Sequence, residues 1–394
     1  MPQTRSVIEF ERRQYRMADL PDDIAIETVM GCNLRCPMCP ISVGPEAMNG
    51  RPTRVMALDV YRRILVQIAD RPRFVLLTII GEPLLHPRIV EFVALAKRDG
   101  HRVALITNGT RLDRPMAIGL IEAAAVADHP DALAMSALFD ATGALRQQSW
   151  PTAVEKLKRA AGLGSQSAQG QVEVLQERGS AGLSIDRLLE PPSRKQLSES
   201  PRIVTFHGFA TTGECEWLIS QARDRVRPAK VFSTATGDQT YHQARDNSGI
   251  EFQLSQMDVV TELIRARISA ATRLPVPIFE PTQILQYRVG QQFRPHHDFL
   301  DPDVPGFAEY LQKFGQRIAT VLVYLNEDYE GGETAFPKLK LNFRGATGDA
   351  LFFTNVDRYG RADPLTLHAG TPPTSGEKWV LSQWIRDRVP PERP

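Results

Sequence analysis

Apolar and polar positions follow three rhythms along the 394-residue chain. From Asp23 to about Leu112, the short apolar runs IAIETV, FVLLTII and RVALIT alternate with segments of helical period, ALDVYRRILVQIA and PRIVEFVALAKRDG. Strand, helix, strand, helix, strand is the order of parallel βα units, because a parallel strand needs a long crossover to return. From about Met116 to Glu177 the strand signal vanishes and alanine dominates. There AAVADHPDA (Ala124 to Ala132) lines up with AAGLGSQSA (Ala160 to Ala168) at an offset of 36 residues, with only the alanines agreeing. Small residues at matching places let paired helices approach closely. The polar, proline-bearing EPPSRKQLSESPR within Gly179 to Arg202 reads as a linker. Beyond it lie the β-like runs IVTFHGF, ILQYRV, IATVLVYLN, TAFP, DALFF and WVLSQWI, with helices expected over ECEWLISQARDRV and around Gln256 to Ala271.

These rhythms predict a multidomain α+β chain. A partial (β/α) barrel fragment is expected over 1–115, a helical repeat segment over 116–178, a linker over 179–201 and a jelly-roll domain over 202–390. The alanine-rich segment resembles tetratricopeptide-like repeats of the SEL type, which implies a scaffold or a docking surface for a protein partner; similarity of composition alone is the competing explanation.

Composition narrows the function classes. The net charge is +1, and no basic face or tail stands out, which argues against nucleic acid or an anionic membrane as partner. The first residues lack the apolar core of a signal peptide, and no run reaches the ~18 apolar residues of a membrane span. A cytoplasmic enzyme or binding protein is the expectation. Three of the four cysteines, Cys32, Cys36 and Cys39, crowd into GCNLRCPMC, whereas a disulfide framework would scatter an even set through a short chain.

The stretch YRVGQQFRPHHDFL, Tyr287 to Leu300, carries the first candidate chemistry. On a strand, residues i and i+2 share a face, so His296 and Asp298 can converge on one ion while His297 turns away. A third ligand must come from elsewhere, and His368 in PLTLHAGTPP follows a β-like run. Two histidines and a carboxylate on one face of an octahedral ion leave three positions open, the arrangement of non-haem Fe(II) oxygenases. Lys378, in GEKWVLSQW, falls on a strand beside that centre, and its ammonium could pair with a substrate carboxylate; buried without an anion it would be costly.

Together these residues resemble the prolyl 4-hydroxylase branch of the 2-oxoglutarate and Fe(II) dioxygenases. The resemblance runs in order through LQYRVGQQF, HHD, RIATVLVYLN, EGGETAFP, GDALFF, His368 and Lys378 with Trp379 and Trp384, covering about half the chain. It implies a double-stranded β-helix in which His296, Asp298 and His368 hold Fe(II). Lys378 is then expected to seat the far carboxylate of 2-oxoglutarate, with Tyr287 and Thr320 as hydrogen-bond donors and ascorbate as an auxiliary reductant. The implied reaction hydroxylates an unactivated C–H bond, foremost in a prolyl residue of a peptide or protein, and releases succinate and CO2; small-molecule substrates remain open. The long connection Phe299 to Gln316 is either a lid or a crossover.

The cysteine spacing CxxxCxxC at a strand end suits three corners of a [4Fe-4S] cluster. With GEPLLHP, which contains Gly81 and Glu82, and with TNGT after the third strand, it resembles the radical S-adenosylmethionine superfamily. The resemblance implies the cluster at Cys32, Cys36 and Cys39 and places Gly81 and Glu82 at the methionyl amine of S-adenosylmethionine. Met38 departs from the aromatic residue common in that family, and three βα units make only about half of its barrel, leaving an open edge. A cluster with an open iron is destroyed by the dioxygen that an oxygenase consumes. The ranking is therefore an oxygenase first, a radical enzyme or a vestigial cluster-binding fragment second, and a binding module built on the helical segment third.

Overall fold

The computed structural model describes residues 20–41, 54–144, 146–178, 184–229, 231–232, 239–240 and 245–391. They divide into two compact units, Met1–Ala137 with Glu155–Gln166 and Leu138–Val154 with Ser167–Pro394. No helix among the described residues is long and apolar enough to cross a membrane.

In the first unit, β1 (Asp23–Ala25), β2 (Phe74–Leu76) and β3 (Arg102–Ala104) form a parallel sheet in that order. Helices α1 (Leu58–Gln67) and α2 (Ile89–Arg98) are the crossovers, and their inward residues Tyr61, Leu65, Ile89 and Phe92 pack with Val75 and Leu77 in one core. The expected strand and helix succession is thus present. Among the described residues β3 pairs with β2 alone, leaving its other side as a sheet edge.

Four helices follow along the chain: α3 (Arg114–Val126), α4 (Pro130–Thr142), α5 (Trp150–Gly162) and α6 (Gln166–Gln176). Asp113 starts α3 by accepting a hydrogen bond from the Met116 N–H. The segment Ala124 to Ala132 spans the α3–α4 corner and Ala160 to Ala168 the α5–α6 corner, so the offset seen in sequence relates two helix-turn-helix corners. Ala123, Ala125, Ala160 and Ala168 are buried, which is why these positions are small.

The second unit is built on an eight-stranded sheet. Its strands are β4 (Arg194–Glu199), β5 (Arg202–Phe206), β6 (Arg227–Pro228), β7 (Ser248–Glu251), β8 (Gln283–Tyr287), β10 (Arg317–Tyr324), β13 (Ala350–Thr354) and β15 (Lys378–Arg386), ordered β4-β5-β13-β10-β15-β8-β7-β6. A four-stranded sheet, β9 (Phe293–His296), β14 (His368–Gly370), β11 (Thr334–Phe336) and β12 (Leu341–Phe343), covers one face, and Phe336 packs against Tyr324, Leu351, Phe353 and Val380 there. Helices α7 (Thr212–Ala222) and α8 (Val259–Thr272) cover the other, where Leu218, Ile219, Ile264 and Ile268 meet Val321, Val323, Trp379 and Leu381. Strand β15 is covered on both sides, so its residues read as a nearly continuous apolar run, yet its side chains still alternate. Trp379, Leu381 and Ile385 belong to the helical side, while Lys378, Val380, Ser382 and Trp384 line a pocket on the other.

One expectation needs correction, and one open choice narrows. The linker expected over 179–201 contains strand β4, paired antiparallel with β5 at the sheet edge. An edge strand is held by backbone hydrogen bonds and keeps polar side chains in water, so hydropathy does not reveal it; residues 179–183 lie outside the described residues. The connection after Asp298 holds a helix, α9 (Pro305–Phe314), which begins with proline where no N–H is needed. Its ends are joined by the Gln316 amide, which accepts from the Leu300 N–H at 2.9 Å and donates to the Leu300 carbonyl at 2.7 Å. That two-sided bridge fits a crossover better than a swinging lid.

Candidate metal centre and co-substrate pocket

Antiparallel pairing of β9 with β14 sets His296 directly opposite His368. Residues facing each other across such a pair have neighbouring side chains, and the two imidazole centroids lie 4.3 Å apart. Asp298, two residues beyond His296, completes a group whose ligand atoms all lie within 4.8 Å of one another. It is the one such group of three or more among the described residues.

The donor set fits a cation. His296 Nδ1 lies 2.8 Å from the Arg294 carbonyl and His368 Nδ1 2.9 Å from the Thr366 carbonyl. A carbonyl only accepts, so each Nδ1 carries the proton, and in the neutral ring Nε2 is then the atom whose lone pair can bind a cation. These Nε2 atoms stand 3.6 Å from Asp298 Oδ1 and Oδ2, too far for a hydrogen bond. Lone pairs facing carboxylate oxygens across such gaps repel one another unless a positive ion lies between. Burial pushes His368 down to about 4, which keeps its imidazole neutral near pH 7. Burial alone would raise the Asp298 carboxyl, but positive charge on its neighbours, from His368 and His296 when they are protonated and from Arg317, holds it below the ordinary carboxylate range.

Aromatic packing fixes the ligands further. The Phe293 ring stacks on His296 with centroids 3.4 Å apart, and the Arg245 guanidinium lies 4.7 Å from the Phe293 centroid on its bridge to that residue. Phe353 meets the His368 ring edge-on at 4.7 Å.

The co-substrate pocket follows from strand register. Tyr287 of β8 is paired with Lys378 of β15, Leu285 with Val380, and Ser382 with Leu322 of β10. All six line the pocket with His296, Asp298 and His368. Lys378 is 2 % exposed, and its ammonium donates to the Gly332 carbonyl at 2.7 Å. Burial pushes this ammonium down to about 7, offset only in part by Glu333. Tyr287, raised to about 12 by burial, takes no hydrogen bond from the described residues, so its hydroxyl remains available to a ligand.

One expected role changes. The resemblance implies that Thr320 donates to the co-substrate, but its hydroxyl donates to Asp298 Oδ2 at 2.6 Å. Being opposite Trp384 in the β10–β15 register, it points under the metal ligands. His297 is excluded as foreseen, its Nε2 lying 3.2 Å from the Pro364 carbonyl. Sequence reading missed Arg245, Thr334 and Ser382, which also line the pocket. The two on strands could have been found by alternation from Phe336 and Lys378; Arg245 sits outside any periodic run and left no signal.

In the first unit, the cysteine loop and the TNGT loop meet at the C-terminal ends of the strands. Asn108 Nδ2 donates to Asn33 Oδ1 at 3.0 Å and lies 3.5 Å from Cys32 Sγ. Cys32, Cys36 and Cys39 are free thiols, Cys36 exposed and the others half-buried. A cubane spreads its thiolates over three irons, so their failure to converge on one point does not argue against it. Gly81 is required here, since a Cβ would lie 1.7 Å from the Val29 carbonyl oxygen. Glu82, like Gly81 expected at a methionyl amine, is held by its own chain. Its buried carboxylate accepts from the Leu84 N–H at 2.9 Å, the Thr107 hydroxyl at 2.6 Å and the Asn108 N–H at 2.7 Å. It ties two loops together, with Oε2 taking, among the described residues, only the bond from Asn108.

A sandwich of two sheets enclosing a neutral-histidine, ionised-aspartate centre beside a buried ammonium defines a mononuclear metal enzyme that takes an anionic co-substrate. Residues 282–386 match the 2OG-Fe(II) oxygenase superfamily, to which the chain belongs; that membership brings Fe(II) and 2-oxoglutarate as cofactor and co-substrate. Relatives include probable prolyl 4-hydroxylase 8 of Arabidopsis thaliana, 37% identical over 54% of this chain and 78% of that protein. Prolyl 4-hydroxylase 5 of the same plant is 38% identical over 48% of this chain and 69% of its own length. The solved viral collagen prolyl hydroxylase from Paramecium Bursaria Chlorella virus-1, in its 2OG complex, aligns over 47% of this chain and 95% of that one with 29% identity and a TM-score of 0.36. Residues 26–166 match the Radical SAM superfamily, extending past residue 115 into the helices read as repeats.

Proposed function

We propose that the chain hydroxylates prolyl residues of a peptide or protein, consuming dioxygen and 2-oxoglutarate and releasing succinate and CO2. The observation that carries this reading is the buried Lys378 ammonium, with the Tyr287 hydroxyl, beside the His296, Asp298 and His368 donors. Fe(II), when bound, supplies the redox chemistry that couples decarboxylation of the co-substrate to insertion of one oxygen atom into a C–H bond.

The chain's own residues bind and orient. His296, Asp298 and His368 would hold the ion, and the pocket beside them would receive the co-substrate. Lys378 pairs with the far carboxylate of 2-oxoglutarate, and the Tyr287 hydroxyl donates to it. The apolar walls Leu285, Leu322 and Val380 exclude water, which strengthens that ion pair. Trp384, held on its other side by Arg317 at 3.5 Å, gives the pocket an aromatic wall. The prolyl preference rests on the relatives' names. It is tested by an aerobic screen of proline-containing peptides with Fe(II) and 2-oxoglutarate, read by mass spectrometry for the gain of one oxygen. Succinate formation with small molecules but with no peptide would sink it.

A second reading concerns the first unit, where three unpaired thiols share one loop at the strand ends. Cys32, Cys36 and Cys39 would hold a [4Fe-4S] cluster there. Anaerobic reconstitution that yields 5′-deoxyadenosine from S-adenosylmethionine, lost in Cys36→Ala, would establish radical chemistry; a cluster without cleavage would leave only the vestigial fragment.

A further inference from the structure

Asp298 and His368 belong to different strands, yet one buried residue outside the metal centre holds both. Asn355 follows β13 and is fully buried. Its Nδ2 lies 3.0 Å from Thr320 Oγ1, and that hydroxyl lies 2.6 Å from Asp298 Oδ2. The direction of each hydrogen bond is forced. An ionised carboxylate only accepts, so Thr320 spends its single proton on Asp298 and can only accept from Asn355, which must therefore turn its NH2 inward. This relay restrains the carboxylate against rotation about its Cβ–Cγ bond.

The backbone of Asn355 reaches the histidine. Its carbonyl accepts from the Asp363 N–H at 3.1 Å. The Asp363 carbonyl accepts from the Thr366 N–H at 3.0 Å and from the Thr366 hydroxyl at 2.7 Å. The Thr366 carbonyl in turn receives the Nδ1–H of His368 at 2.9 Å. The Asn355 N–H donates to the Ile318 carbonyl at 2.8 Å, which anchors the junction to the start of β10. Asn355 Oδ1 is buried without a hydrogen-bond partner. A buried amide left half satisfied is costly, so the position is one where a plain apolar side chain would be favoured on stability alone.

We infer that Asn355 is a positioning residue for the metal centre, orienting Asp298 through Thr320 and His368 through the Asp363–Thr366 turn. The inference rests on the reading that His296, Asp298 and His368 hold the metal; it does not depend on the substrate. Partners of this kind typically change metal affinity by about 10–100-fold when removed. It also separates two roles for Thr320, a brace for the metal ligand and a contact for the co-substrate.

The test is a titration of the full-length chain with Co(II), followed by its visible absorption without 2-oxoglutarate, on wild type, Asn355→Leu, Thr320→Val and Thr320→Ser. Asn355→Leu nearly keeps the size but cannot donate, whereas the buried carboxyl of Asn355→Asp, beside Asp298, would take up a proton and could still donate; Thr320→Val keeps the shape but has no hydroxyl. Both should weaken Co(II) binding by about 10–100-fold, and Thr320→Ser should restore what Thr320→Val loses. At saturating metal, KM for 2-oxoglutarate should stay at the wild-type value in all of them. Far-UV circular dichroism and thermal melts identify any variant that fails to fold, and Thr320→Val against Thr320→Ser then decides. Wild-type affinity in the folded variants, or a raised KM for 2-oxoglutarate with unchanged Co(II) binding, would overturn the inference alone. A wild-type chain that binds no Co(II) overturns the metal-centre reading and the inference with it.

Discussion

Replacing Lys378 with methionine removes the charge while nearly conserving volume, and it separates the cost of that charge from its use. Burial drops the ammonium from 10.5 to about 7. At ~1.4 kcal/mol per pKa unit, the folded protein disfavours the charged form by about 5 kcal/mol. Between about 7 and 10.5 the unfolded chain keeps the proton that the native chain has lost, so stability rises with pH across that window and the full penalty acts below it. Lys378→Met should therefore melt above wild type at about pH 6, with the gap closing as the pH rises toward 10. Co-substrate binding reverses the sign, because a facing carboxylate stabilises the ammonium. In wild type at about pH 7.5, binding of 2-oxoglutarate should take up roughly three quarters of a proton, measurable by calorimetry in buffers of different ionisation enthalpy. The variant should take up none. Losing one member of a buried charge pair costs ~2–5 kcal/mol, so KM for 2-oxoglutarate in a succinate assay should rise by roughly 30-fold or more. A KM within about threefold of wild type, with no gain in melting temperature at low pH, would refute the reasoning.

Three further outcomes are expected. His368→Ala should abolish both succinate release and Co(II) binding, since two ligands cannot hold the ion in place; turnover that persists would dismiss the assigned centre. Arg267→Met leaves buried Glu214, which the guanidinium grips at 2.8 and 2.9 Å, with only the more distant Arg178 at 3.8 Å as a charge partner among the described residues, and should cost about 3 kcal/mol in urea unfolding. Gly81→Ala drives a methyl group into the Val29 carbonyl and should lower the iron and sulfide content after anaerobic reconstitution, without changing 2-oxoglutarate turnover.

Much of the site is legible in the sequence. The i, i+2 spacing of His296 and Asp298 is a property of the extended backbone, and the position of Lys378 on an apolar run put its side chain in the interior. Local periodicity also carried the βα succession of the first unit and most strands of the second. What it could not carry was anything held by backbone bonds or by partners far along the chain. Strand β4 is polar because it lies at an edge, and Thr320 reads as a pocket residue until its 2.6 Å bond to Asp298 is seen. Glu82 likewise matches a ligand-binding motif, yet its three internal hydrogen bonds come from residues up to 26 positions away.

By itself, then, the sequence determined which residue types were on hand and which face of each strand they occupied, because side-chain alternation is local. Tertiary structure alone decided that His296 stands across from His368, that their lone pairs turn toward Asp298, and that Asn355 braces two ligands at once. Those facts depend on strand register and on which carbonyl meets which N–H, and both are fixed only when distant segments pack against each other.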